Sequence, residues 1–335
     1  MSGRDRQAQS TAPLLELQNL RVEIPGRRGT LVAVDDVSLK IEAGEVLGVV
    51  GESGAGKSLT GAAIIGLLEP PCHVAGGRIL FEGREIQNLP YEAMRKIRGR
   101  DIGMVFQDPL TSLNPLYTVG RQLTETIQAH SDLRDRAARE RAIALLREVG
   151  IPAPDRRIDQ YPHQFSGGMR QRVVIALALC VNPRLIIADE PTTALDVSIQ
   201  AQIISLLKRL CREHGAAVML VTHDMGVIAE TADRVAVMYA GRLVEIGPVR
   251  DVVKRAQHPY TEGLMGSIPL VGHDVERLTQ IDGTMPRLTA IPPGCAFHPR
   301  CPKAFARCAA ARPQLMPAGH SEAACWLRAP EPVEA

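Results

Sequence analysis

The chain has 335 residues, 45% of them hydrophobic and 23% charged, with a formal net charge of +2. This balance fits a globular protein with one large core or two domains, and it excludes a disordered chain. It gives no general attraction to nucleic acid or to an anionic membrane surface. No apolar stretch reaches the length that crosses a bilayer. The polar start, with Arg4 and Arg6, lacks the apolar core of a signal peptide. A cytosolic protein with a frayed tail over 1–13 is expected, any membrane being spanned by other chains.

In chain order, Leu14 to Val22, Leu31 to Val34, Val37 to Ile41 and Val46 to Val50 read as strands. Gly26, Gly29 and the Glu42-Ala43-Gly44 turn separate them. The simplest arrangement is a short antiparallel layer leading into a buried strand. Residues 46–60 organise everything else. Val46 to Val50 is an apolar, β-branched run suited to a parallel sheet. Gly51, Gly54 and Gly56 follow, and Lys57 and Ser58 open an apolar helix running to Leu68. The spacing G-x-x-x-x-G-K-[ST] between strand and helix is the phosphate-binding loop. Its amides and the helix N-terminus present positive dipole ends to polyphosphate. Gly51, Ser53, Gly54, Ala55, Gly56, Lys57, Ser58 and Leu59 are the expected binding run, Lys57 reaching the β- and γ-phosphates and Ser58 ligating magnesium. The bland alternative is a glycine-rich turn, against which all the fixed positions and both flanks speak.

Gly77 to Gly83 reads as a further strand of the antiparallel layer, and Ile102 to Phe106 as one ending at Gln107-Asp108-Pro109. Residues 116–160 carry apolar positions at helical spacing, such as Ala142, Leu145, Leu146 and Val149, with arginines on the solvated face. Tyr161 to Arg172 precede an apolar helix from Val173 to Cys180. Leu185 to Ala188 is a buried strand ending in Asp189-Glu190-Pro191. Asp196 is placed to cap an amphipathic helix carrying Ile199, Ile203, Leu206, Leu207 and Leu210, which stops before Gly215. Ala217 to Val221 ends in Thr222-His223-Asp224. Strand and helix alternating around a phosphate loop imply a parallel α/β core.

With these residues in view, the chain resembles the nucleotide-binding subunit of an ATP-binding-cassette (ABC) transporter over residues 14–265. Phe165-Ser166-Gly167-Gly168-Met169 stands where that family has its signature, usually Leu-Ser-Gly-Gly-Gln. Leu185 to Glu190 resembles the Walker B strand, Ala194-Leu195-Asp196 the D-loop, Gln107 the Q-loop glutamine and His223 the switch histidine. Alone, Asp189 and Glu190 would read as a solvated strand end and His223 as a loop residue; the ordered set displaces those readings. Phe106 to Pro115, Tyr161 to Arg172, Ala188 to Gln202 and His258-Pro259-Tyr260-Thr261 narrow the resemblance to ATPases of bacterial dipeptide, oligopeptide and nickel importers.

The resemblance implies a P-loop NTPase with a RecA-like core, an antiparallel β layer, a helical subdomain at about 108–172 and a Cys-rich extension over 266–335. It implies that Asp189, Ser58 and Gln107 serve magnesium, that Glu190 activates the attacking water, and that His223 and Gln107 assist. Ser166, Gly167, Gly168 and Asp196 would face the nucleotide of a second ATPase subunit, a distinct relative. The other implied partners are two membrane permeases and an extracytoplasmic solute-binding protein, with no nucleic acid, the whole working at the cytoplasmic face of the cell membrane. Peptides are the favoured cargo; nickel and glutathione stay open, as does a soluble, non-transport ABC ATPase, although no coiled coil or DNA-binding insert is present.

Two features depart from the simple pattern. No Phe, Tyr or Trp precedes Phe81, so adenine stacking falls to Arg28, or to an apolar wall of Ile24 and Leu31. Cys295, Cys301, Cys308 and Cys325 follow C-x5-C-x6-C-x16-C spacing in a proline-rich tail, whereas Cys72, Cys180 and Cys211 are scattered. Without paired C-x-x-C hairpins the spacing itself says little. The resemblance implies a four-cysteine centre, an iron–sulfur cluster (4Fe-4S) ahead of zinc, with reduced structural thiols the alternative.

Overall fold

A computed structural model describes residues 12–27, 29–193, 195–267 and 280–329. The sequence expectations for the tail 1–13 and for Arg28 therefore lie wholly or largely outside the described residues, as does Ala194 of the expected D-loop. Twelve strands among the described residues form two sheets. The strands are β1 (Leu15–Gly26), β2 (Gly29–Ile41), β3 (Val46–Val50), β4 (His73–Phe81), β5 (Arg84–Glu85), β6 (Ile102–Val105), β7 (Leu185–Asp189), β8 (Ala217–Thr222), β9 (Arg234–Tyr239), β10 (Arg242–Pro248), β11 (Met316–Ala318) and β12 (Ser321–Ala323). The smaller sheet runs β2-β1-β4-β5, its β1–β2, β1–β4 and β4–β5 pairs antiparallel. The larger runs β11-β12-β10-β9-β3-β8-β7-β6, with β9, β3, β8, β7 and β6 mutually parallel.

Alternation along the parallel strands divides the core between the faces of the larger sheet. Leu47 and Val49 of β3, Leu185 and Ile187 of β7, and Ala217, Met219 and Val221 of β8 pack with Leu15, Leu17 and Leu20 of the antiparallel sheet and Ala63 and Ile64 of the helix Lys57–Ile64. Val46 and Val50, Ile186 and Ala188, and Val218 and Leu220 turn the other way. They pack with residues of the helices Gly167–Leu179 and Val197–His214. Each Val, Leu, Ile or Met among these, fully buried, contributes about 1.5–3 kcal/mol of apolar burial. These strands read as unbroken apolar runs because both of their faces are covered.

Several boundaries differ from the sequence reading. The two strands expected over 31–34 and 37–41 are one strand, because Asp36 at φ 64 bends the chain without ending its pairing with β1. Strand β4 starts at His73, earlier than its apolar residues suggest, and ends where Glu82 and Gly83 take φ 53 and 75. The helix after the phosphate loop stops at Ile64 rather than Leu68, with Gly66 at φ 63 beyond it. The region expected to be helical holds Val119–His130 and Asp135–Glu148, and the helix that returns to β7 begins at Gly167, not Val173. Asp196 stands at the N-cap of Val197–His214, but its side chain makes no capping bond. The C-terminal residues extend the larger sheet: β12 pairs with β10, and β11 with β12.

Candidate functional site

Strands β3, β8, β7 and β6 are neighbours, and their carboxyl ends deliver the phosphate loop, His223, Asp189-Glu190 and Gln107 to one edge of the sheet. Such an edge is where α/β folds bind ligands. Glu52, Ser53, Gly54, Gly56, Lys57, Ser58, Leu59, Gln107, Glu190 and His223 line a single open cleft there.

Gly51 can have no side chain: a Cβ would lie 2.2 Å from the Met238 carbonyl oxygen. Gly56 takes φ 100 at the N-cap of Lys57–Ile64 and supplies no side-chain cap. The first-turn N–H groups of that helix thus remain available to an anion. The helix Gly167–Leu179 differs, because the Ser166 hydroxyl accepts a bond from the Met169 N–H at 3.4 Å.

Lys57 is buried, and its Nζ donates to the carbonyls of Gly51 at 2.8 Å and Glu52 at 3.0 Å. Burial pulls its pKa below the ordinary lysine value, while Glu190, Asp189 and Glu52 oppose that shift. Ser58 Oγ donates to Asp189 Oδ1 at 2.8 Å. Burial raises the Asp189 carboxyl above its usual range, with the Ser58 bond pulling against it. This pair of hard oxygens, the Asp189 carboxylate buried and the Ser58 hydroxyl open to the cleft, suits magnesium, which keeps few protein ligands and completes its shell with substrate phosphates and water.

Glu190 is the acid on which the remaining groups converge. Its Oε2 accepts from Gln107 Nε2 at 3.0 Å and from Thr193 Oγ1 at 2.8 Å, and it lies 3.6 Å from His223 Nδ1. Its backbone sits at φ 45, a conformation that costs a non-glycine residue about 1–3 kcal/mol. The Glu190 N–H donates to the Val221 carbonyl at 2.9 Å, which fixes this turn to β8. Gln107 therefore bonds Glu190 rather than the Ser58–Asp189 pair. Thr193 and the strained backbone were not anticipated from sequence; only the three-residue spacing from Glu190 hints at Thr193.

Ser166 and Gly167 are exposed, and neither they nor Gly168 or Asp196 line this cleft. The four C-terminal cysteines are free thiols within electrostatic reach of one another. The Cys295 N–H donates to the Cys308 carbonyl at 2.8 Å. Burial, with the neighbouring thiols adding to it, pushes Cys295 up to about 11, and burial also raises Cys301 and Cys325. Among the described residues no group of three or more His, Cys, Asp or Glu is arranged to hold a metal ion. The structure thus shows four thiols in one neighbourhood and not the metal centre expected of them. Cys180 and Cys211 are buried, burial raising them to about 11 and about 12.

Comparison with known proteins gives concordant matches. The ABC transporter family model matches residues 34–193, and the model for the oligopeptide/dipeptide transporter C-terminal region matches 244–308. The chain is 50% identical to the dipeptide transport ATP-binding protein DppD of Bacillus subtilis (strain 168) over 94% of this chain and 95% of that protein. It is 45% identical to the oligopeptide transport ATP-binding protein AppD of the same strain over 90% and 93%. A solved dimeric ATP-binding cassette, MJ0796 in a post-hydrolysis state bound to ADP and Pi, superimposes with a TM-score of 0.63 and 31% identity, covering 70% of this chain and 99% of that one.

Proposed function

The chain belongs to the ABC transporter ATPases of the oligopeptide/dipeptide class, and we propose the following account of its work. It is the ATP-hydrolysing subunit of a peptide importer. Of the cargoes left open by the sequence, peptides are favoured because its relatives are named for dipeptide and oligopeptide transport. The convergence of Lys57, Ser58, Asp189, Gln107, Glu190 and His223 on one strand edge carries the chemical reading.

Phosphoryl transfer depends mainly on positioning and charge neutralisation. Lys57 and the amides of 51–59 hold the β- and γ-phosphates, Lys57 exchanging its loop carbonyls for phosphate oxygens. Ser58 and Asp189 hold magnesium, which supplies charge neutralisation to the phosphates. Glu190 orients the attacking water and takes its proton, while Gln107, Thr193 and His223 hold the carboxylate in place. Glu190→Gln is expected to leave Mg-ATP binding intact and to lower turnover by about 10²–10⁴-fold; turnover near wild type in the assembled complex would remove Glu190 from this role.

Residues Ser166 to Gly168 and Asp196 are read as completing the nucleotide site of a second ATPase subunit. Their position outside the chain's own cleft supports this, as does the dimeric state of the solved cassette. The subunit works with membrane permeases. No described helix is long and apolar enough to cross a membrane, which agrees with peripheral association at the cytoplasmic face. Exposed Phe106, Leu110 and Leu116 flank the Gln107 loop and support that loop as the permease contact. A distinct partner ATPase and an extracytoplasmic binding protein complete the assembly. A soft-metal or iron–sulfur centre on Cys295, Cys301, Cys308 and Cys325 is a finer reading supported by their shared neighbourhood alone; iron and zinc content of anaerobically purified protein tests it.

A further inference from the structure

We propose that Arg300, far along the C-terminal segment, is a positioning residue of the phosphate loop. Its guanidinium neutralises and orients the Glu52 carboxylate, which would otherwise present a negative charge to an incoming polyphosphate. The inference rests on the cleft being the nucleotide site, as argued above.

Glu52 directly follows Gly51 and lines the cleft with Lys57 and Ser58. Arg300 Nη1 donates to both of its carboxylate oxygens, at 2.9 and 3.1 Å. Most exposed ion pairs contribute almost nothing, because water screens them and two long side chains must be immobilised. This pair differs: the Arg300 side chain is 9% exposed and its other donors are already placed. Nε donates to the Asp282 carbonyl at 2.8 Å, and Nη2 to those of Gly283 at 3.2 Å and Ile281 at 3.4 Å. Nη1 also reaches the Tyr239 hydroxyl at 3.3 Å. The guanidinium is thus held before it meets Glu52.

Glu52 is gripped at two further points. Its N–H donates to the Tyr260 hydroxyl at 2.9 Å, and its carbonyl accepts from Lys57 Nζ at 3.0 Å. The same segment also touches the loop at Gly54, where a Cβ would lie 3.0 Å from Met285 Cε. The Glu52 charge already acts on Lys57, where it opposes the effect of burial. A carboxylate near enough to influence the phosphate-binding lysine is near enough to repel phosphates. Arg300 removes that repulsion without itself reaching into the cleft, whose lining does not include it.

The test is Mg-ATP binding by calorimetry on the full chain at low and high salt, together with steady-state ATPase kinetics. Arg300→Met is expected to weaken binding about tenfold at low salt and less at high salt, the loss falling on KM rather than kcat. Glu52→Gln in the same background is expected to restore most of the affinity, and Arg300→Lys to retain it in part. A double variant as weak as the single one would mean that Arg300 merely holds residues 281–283, and the proposal would fall. If Arg300→Met does not fold, Glu52→Gln alone decides: it should bind Mg-ATP at least as tightly as wild type, and weaker binding overturns the clamp. Wild-type protein that binds no nucleotide would sink the underlying reading and the clamp with it. Wild type that binds, with Arg300→Met binding equally well, removes the clamp alone.

Discussion

The nucleotide cleft and the C-terminal segment leaning on it both rely on polar groups, but they hold them differently. In the cleft, Lys57 bonds only carbonyls of its own loop, and Glu190 shares one oxygen among Gln107, Thr193 and His223. A substrate can replace these partners. In the segment, Arg300 is committed to three backbone carbonyls, a carboxylate and a phenol. Phe297, 2% exposed, is wedged against Tyr239 and Tyr260 with ring centroids 5.3 Å away in each case. Groups that will act are held by exchangeable contacts, and groups that position them are saturated. Removing the former should cost binding or turnover with little loss of stability; removing the latter should cost stability, and at Arg300, which faces Glu52 of the phosphate loop, affinity as well.

The largest effect that could break this contrast is at Phe297. Phe297→Ala is expected to cost about 3–5 kcal/mol of stability, read as a fall in denaturation midpoint. A midpoint near wild type would show that the segment is loosely attached. Next comes Lys57→Ala, expected to weaken Mg-ATP binding by about 10²-fold through loss of a charge-assisted contact, with little change in Tm. An accompanying large loss of stability would place Lys57 with the saturated groups.

The smallest effect sharpens the contrast through pH. His258 is fully buried and accepts the Tyr260 N–H on Nδ1 at 3.0 Å, and burial lowers its pKa from 6.5 to about 3. The unfolded chain binds a proton below pH 6.5 that the folded chain refuses, so stability falls on acidification. The slope should approach about 1.4 kcal/mol per pH unit between pH 6 and 5. His258→Asn should flatten that slope in chemical denaturation series, and an unchanged slope would remove His258 as its source.

The cleft was largely legible in the sequence, because each of its groups follows a short apolar strand in a fixed local spacing. Val46 to Val50, Leu185 to Ala188 and Ala217 to Val221 are buried on both faces, so composition alone marks them. The rest was hidden for physical reasons. Asp36 looks like a break but is a bend within paired strand. Strand β4 opens with exposed His73 and is interrupted by Gly76 and Gly77 before its buried apolar end, and β11 and β12 have three residues each, too few to show a period. The positive φ of Glu190 accompanies its bond to β8 and leaves no local mark in the sequence. Arg300 and Glu52 stand 248 positions apart, and nothing in either neighbourhood announces the other.

The most direct test is ATP hydrolysis by the subunit reconstituted with its permeases in lipid, with and without peptide-loaded binding protein, for wild type and Glu190→Gln. The account predicts wild-type hydrolysis that rises with loaded binding protein, and a Glu190→Gln subunit that still binds Mg-ATP but barely turns it over. Hydrolysis indifferent to permeases and peptide, or undiminished in Glu190→Gln, would contradict it.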